Sequence, residues 1–221
     1  AWTAPPWMKS IETWFIPGSP ENDWQGDGGW LKPEHVSTYA DSLVRYRDAY
    51  RDAGVEIWGL TPVNEPHGNG GQWESMHFSP ESQNEFIKAH LGPRLRGSAH
   101  PDTRLLIYDQ NRDGLEEWTD VTFADPQSAA SVHGAASHWS TSTIQVFEDV
   151  LDRVHEKFPQ FALLHTEGTI DNLGVQAPAG IEDPVRFEES GWFKNDAFWW
   201  NANATDWAYS ATWAGPAAAD H

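Results

Sequence analysis

Two glutamates close apolar runs. Glu65 ends the run Val55–Glu65 (VEIWGLTPVNE), and Glu167 ends the run Phe161–Glu167 (FALLHTE). A carboxyl group in that position is either solvated charge at a strand end or a reagent. As a pair, two such groups can break an acetal bond between sugars: one protonates the leaving oxygen, and the other attacks carbon or activates water. Taken singly, each is explained as well by exposure, so the case rests on what surrounds them.

Other chemistries find less support. His133, His138 and His165 fall near strand ends, but there is no HExxH or comparable ligand spacing, so no metal is expected. No glycine-rich phosphate loop and no GxSxG turn appears, which argues against nucleotide cofactors and a serine nucleophile. The sequence implies no cofactor. Asn203-Ala204-Thr205 fits a glycan acceptor, a pattern that also arises by chance.

Composition narrows the partners. Against 33 Asp+Glu stand 14 Lys+Arg, a net charge of −19, which opposes binding to nucleic acid or an anionic membrane. Solubility alone accounts for much of that charge. Fourteen tryptophans offer flat apolar faces that suit sugar rings or a packed core equally well. Cysteine is absent, so disulfide and thiol chemistry are excluded. No apolar run approaches the roughly 20 residues that span a bilayer. The chain opens Ala1-Trp2-Thr3, so an export signal is expected, if anywhere, upstream.

The elements that must hold these residues alternate. Four apolar runs with polar C-terminal ends read as parallel strands: Val55–Glu65, Arg104–Asn111, Val132–Trp139 and Phe161–Glu167. Helices are expected between them. One starts at Pro33 and closes at Gly54. A second is capped by Ser79-Pro80-Glu81. A short one covers Gly114–Ala124, and another covers Thr143–Phe158. Strand-helix repetition points to a parallel α/β fold, either a doubly wound sheet or a (β/α)8 TIM barrel. Polar residues gather at the C-terminal ends of successive strands, at Asn64-Glu65, Asp109–Asn111, His138-Trp139 and Thr166-Glu167, which favours the barrel. Ile57, Leu60, Leu106, Ala135 and Leu163 are expected to face its interior. A barrel needs eight strands in about 250 residues. Four are evident here, so residues 1–221 read as one partial barrel domain.

The order of several segments resembles glycoside hydrolase family 30, the glucosylceramidase and glucuronoxylanase group. Trp2–Lys9 (WTAPPWMK) is similar to that family's loop after strand three, and Leu60–Pro66 (LTPVNEP) to strand four. FSPE from Phe78, Phe86-Ile87 and Leu91–Pro93 resemble the following helix. Leu105–Arg112 (LLIYDQNR) resembles strand five. Asp125-Pro126, Val132–Gly134 and His138-Trp139 resemble the approach to strand six and its end, and His165–Glu167 resembles strand seven.

The resemblance implies a retaining hydrolase of β-glycosidic bonds, with Glu65 as acid/base and Glu167 as nucleophile. Asn64 would bond the sugar 2-hydroxyl, and Trp2, Asp109, His138 and Trp139 would shape the sugar subsite. A glucosylceramide-like β-glucoside is the nearest substrate class. A β-1,6-glucan, xylan, or a non-catalytic carbohydrate-binding role on the same barrel stay open. The resemblance also implies a carbohydrate or glycolipid partner and an extracellular or periplasmic setting. Ser140 stands where family members usually carry Tyr. The stretch Asp171–Trp213 resembles an enlarged loop after strand seven. The family's first two strands, its eighth and its β-sandwich domain have no counterpart in these residues.

Overall fold

The computed structural model describes residues 3–10, 29–67, 75–139 and 146–168. Trp2, Ser140, Asn203 and the Trp-rich stretch from Asp171 lie outside the described residues.

Four strands form one parallel sheet in sequential order: β1 (Gly59–Leu60), β2 (Arg104–Asn111), β3 (Gly134–Trp139) and β4 (Ala162–Gly168). Helices α1 (Val36–Asp52), α2 (Pro80–Phe86), α3 (Gly92–Arg96), α4 (Leu115–Thr122), α5 (Pro126–Ala129) and α6 (Glu148–Lys157) lie between or before them. This is half of a (β/α)8 barrel. Among the described residues, no helix is long and apolar enough to cross a membrane.

The expected boundaries of β2 coincide with the observed ones. Ser79 caps α2 as its side chain accepts from the Ser82 amide, while Ser82 Oγ accepts from the Ser79 amide. Gly54 follows α1 at φ +88°, a conformation open to glycine.

Two elements are much shorter than expected, and β3 starts at Gly134 rather than Val132. The run Val55–Glu65 pairs with β2 only at Gly59 and Leu60. Pro62 has no N–H to give the ladder, and its carbonyl accepts from the buried Tyr39 hydroxyl instead. The last helix begins at Glu148, because Phe147 holds a left-handed φ of 59° that no helix continues through. Thr143 to Gln145 lie outside the described residues.

The faces of the sheet also need correcting. Leu106 lines the concave side, as expected, and Leu164 joins it; Leu60 instead shares a row with Leu105 of the helix-side core. Ala135 and Leu163 instead share a row with Ile107, which packs into the helix-side core. Ile57 borders a separate hollow beside Arg47 and Thr103. Side chains alternate with period two, so an error of one residue in phase exchanges the two faces.

The helix-side core is continuous. Leu105 and Ile107 of β2, Leu91 and Leu95 beyond α2, and Trp118 of α4 are all completely buried. This layer fixes the strands whose C-terminal ends carry the polar residues.

Candidate active site

Asp109 organises the C-terminal end of the sheet. At Tyr108 and Asp109 the strand β2 shifts register against β3, and both residues take left-handed φ values of 72° and 69°. Each such non-glycine residue costs on the order of 1–3 kcal/mol, so neighbours must hold it. The Tyr108 amide donates to Gln83 Oε1 at 3.0 Å, and the Tyr108 hydroxyl donates to the Asn111 carbonyl at 2.6 Å. The bulge re-aims the Asp109 carboxylate across the sheet.

That carboxylate collects three donors. Thr61 Oγ1 donates to Oδ2 at 2.7 Å, Thr166 Oγ1 donates to Oδ1 at 2.8 Å, and His138 Nε2 lies 3.1 Å from Oδ1. The Glu65 amide donates to the Asp109 carbonyl at 3.0 Å. One residue therefore ties together the ends of all four strands. Burial alone would raise the Asp109 pKa, but the bonds from His138 and Thr61 outweigh it and hold it below the usual carboxylate value.

His138 links the two glutamates. Its side chain has no exposed surface, and its Nδ1 lies 3.6 Å from Glu65 Oε1 and 3.9 Å from Glu167 Oε2. Glu65 is buried at a left-handed φ of 51°, while the Glu167 side chain is 58% exposed. Asn64 Oδ1 and Glu65 Oε2 are buried polar atoms with no hydrogen-bond partner among the described residues. Such groups are costly unless something else satisfies them. Asn64, Thr61, Asp109, Thr166 and Glu167 border a cleft of about 320 Å³ whose wall continues along Leu60, Leu106 and Trp58.

The structure thus brings Glu65, Glu167, Asn64, Asp109 and His138 into one cluster. Asn64, Asp109 and Glu167 reach the cleft, whereas His138 sits behind them, fully enclosed. Trp139 points elsewhere: it is buried beneath the Arg112 guanidinium, 5.1 Å from its ring centre. The sequence assigns no site role to Thr61, and names Thr166 only among the polar residues at strand ends. The available signal was a hydroxyl residue near each strand-end glutamate, four positions before Glu65 and immediately before Glu167.

The family model for the glycosyl hydrolase family 30 TIM-barrel domain matches residues 1–177. The chain belongs to glycosyl hydrolase family 30. It is 34% identical over 181 residues to putative glucosylceramidase 4 of Caenorhabditis elegans, covering 80% of this chain and 33% of that protein. It is 33% identical over 172 residues to the lysosomal acid glucosylceramidase of Mus musculus, covering 76% of this chain and 32% of that protein. Among solved structures, SrfJ from Salmonella typhimurium superposes with a TM-score of 0.65 at 26% identity, covering 89% of this chain and 39% of SrfJ. The chain spans about a third of the length of these curated family 30 relatives.

Proposed function

We propose that this chain carries the reacting pair of a retaining β-glycosidase acting on β-glucosides of the glucosylceramide kind. The observation that carries the proposal is the approach of both Glu65 and Glu167 to within 4 Å of one buried imidazole, at the end of the sheet that borders the cleft. The substrate class rests on similarity to the two glucosylceramidases.

In this reading Glu65 protonates the glycosidic oxygen as the bond to the anomeric carbon breaks. Glu167 attacks that carbon from the opposite face and forms a glycosyl ester. Glu65, now ionised, takes a proton from water, and the resulting hydroxide displaces Glu167 to release the sugar with its configuration retained. Asn64, which borders the cleft, would bond the sugar 2-hydroxyl, a contact that strengthens as positive charge develops at the anomeric carbon. Glu65 is buried and Glu167 is exposed, so the two carboxyl groups stand in the different surroundings that different roles call for.

The test is a slow β-glucoside, 2-deoxy-2-fluoro-β-glucosyl fluoride, followed by peptide mass mapping. One added glycosyl mass on the peptide containing Glu167 supports the reading, as does a β-anomer as first product by proton NMR. An α-anomer, or label on another carboxylate, would overturn it. Parallel assays on glucosylceramide, a β-1,6-glucan and xylan assign the substrate.

A further inference from the structure

We infer that His138 is a positioning residue: it stands as an imidazolium between the two reacting carboxyl groups, anchored by Asp109, and supplies the site's internal cation. The inference rests on the glycosidase reading for its kinetic consequence, but not for its structural content.

Geometry fixes the proton on Nε2. Asp109 Oδ1 already accepts the Thr166 hydroxyl, and an ionised carboxylate can only accept, so His138 Nε2 must donate to it. That leaves Nδ1, which faces Glu65 Oε1 and Glu167 Oε2. A neutral ring with its proton on Nε2 would turn a lone pair toward both oxygens. A charged ring turns an N–H toward them. No part of the side chain is exposed, so it offers a sugar no surface and serves the site through the carboxyl groups it touches.

The titratable groups around the ring are Asp109 on β2, Glu65 beyond β1, and Glu167 and His165 on β4. Burial pulls the imidazole toward neutrality. Hydrogen bonding to Asp109, with the nearby carboxyl groups of Glu65 and Glu167, outweighs burial and pushes His138 up to about 9. A charged ring offsets part of the negative charge that three carboxyl groups bring to one pocket. Losing that ring charge leaves the carboxyl groups without a cation between them, so the acidic limb of the rate profile should move upward.

The experiment follows the histidine ring nitrogens of the protein by 15N NMR from pH 5 to 10, with His138→Gln identifying the signal. The wild-type ring is expected to keep both nitrogens protonated at neutral pH and to titrate near 9. Asp109→Asn keeps the shape and an acceptor but removes the charge, and should lower the midpoint by at least about 1 pH unit. In kcat/KM for an aryl β-glucoside, His138→Gln should raise the acidic limb by about 1–3 pH units. A wild-type ring that is neutral at pH 7 overturns the inference. So does an acidic limb that stays in place in a folded, active His138→Gln protein. If Asp109→Asn does not fold, the wild-type titration and the His138→Gln profile decide. If no glycoside is cleaved at all, the glycosidase reading fails while the wild-type titration still decides the state of His138.

Discussion

The Thr166 hydroxyl donates to Asp109 Oδ1 over 2.8 Å, which ties the strand bearing Glu167 to the bulge of β2 across the intervening β3. Thr166→Val keeps the shape of the side chain and removes this bond. A hydrogen bond to a charged acceptor contributes about 1.5–3 kcal/mol when buried. Thr166 is partly exposed, so a loss of about 1–2 kcal/mol in urea unfolding is expected. Thr166 and Asp109 both border the cleft, so kcat/KM for an aryl β-glucoside should fall together with stability. Unchanged stability and kinetics would show that the bond is incidental.

Removing each glutamate should have different effects. Glu167→Gln should abolish nearly all turnover on every substrate. Glu65→Gln should lose on the order of 10²–10⁴-fold where the leaving group needs a proton. It should retain activity on dinitrophenyl glycosides, and azide should speed it further by attacking the glycosyl-enzyme. Equal loss in both variants, with no response to azide, would reverse or void the assignment.

Gly134 is a packing constraint. A Cβ there would fall on the backbone of Ala162 in the neighbouring strand, where no flexible side chain can yield. Gly134→Ala should cost about 3 kcal/mol or more, at or above the usual range for overpacking. Gly59→Ala, whose Cβ would meet Arg104 O at 3.1 Å, should cost less. Thermal unfolding of the two variants side by side checks the order.

Stability should depend on pH in a defined window. The pKa of His138 is raised from 6.5 to about 9 by its carboxylate neighbours, against the pull of burial. A raised pKa means the folded state binds the proton more tightly than the unfolded state. The stabilisation is therefore complete below about 6.5 and is lost as pH rises through about 9. Urea midpoints measured across this window should fall toward alkaline pH, and the fall should shrink in His138→Gln.

Asp125 caps α5 by accepting from the Gln127 amide at 2.9 Å, and it also accepts from Asn84 and Lys88. These bonds, led by that from Asn84, hold its carboxyl at about 2, so its contribution is present above the usual value of 3.8 and is lost as pH falls through about 2. Asp125→Ala should cost about 1 kcal/mol by thermal unfolding at neutral pH, as for other lost N-caps. The difference from wild type should vanish in acid.

Much of this protein is legible without coordinates. The apolar run Arg104–Asn111 becomes β2 with no change of boundary, and Ser79 caps its helix, because burial on both faces and side-chain capping are local in sequence. The placement of Glu167 at a strand end follows from the same reading, whereas Glu65 lies beyond the short β1. The faces of β3 and β4 were less accessible: short apolar runs show no alternation, so nothing in them distinguishes Ala135 from Ala136 as the helix-side residue. The expected helix from Thr143 misses the left-handed turn at Phe147, a conformation no propensity assigns to phenylalanine.

By itself the sequence determined the four parallel strands, the polar ends they present, and the two glutamates that stand there. Tertiary structure alone decided that these ends converge on one imidazole. The bulge at Tyr108 and Asp109 turns a carboxylate sideways, the register of β3 sets His138 beside it, and the ends of β1 and β4 bring Glu65 and Glu167 to the other ring nitrogen. Distances of 3 to 4 Å among residues that are far apart in the chain depend on strand register and backbone dihedrals. Those are settled by packing across the whole sheet, and no short window of sequence encodes them.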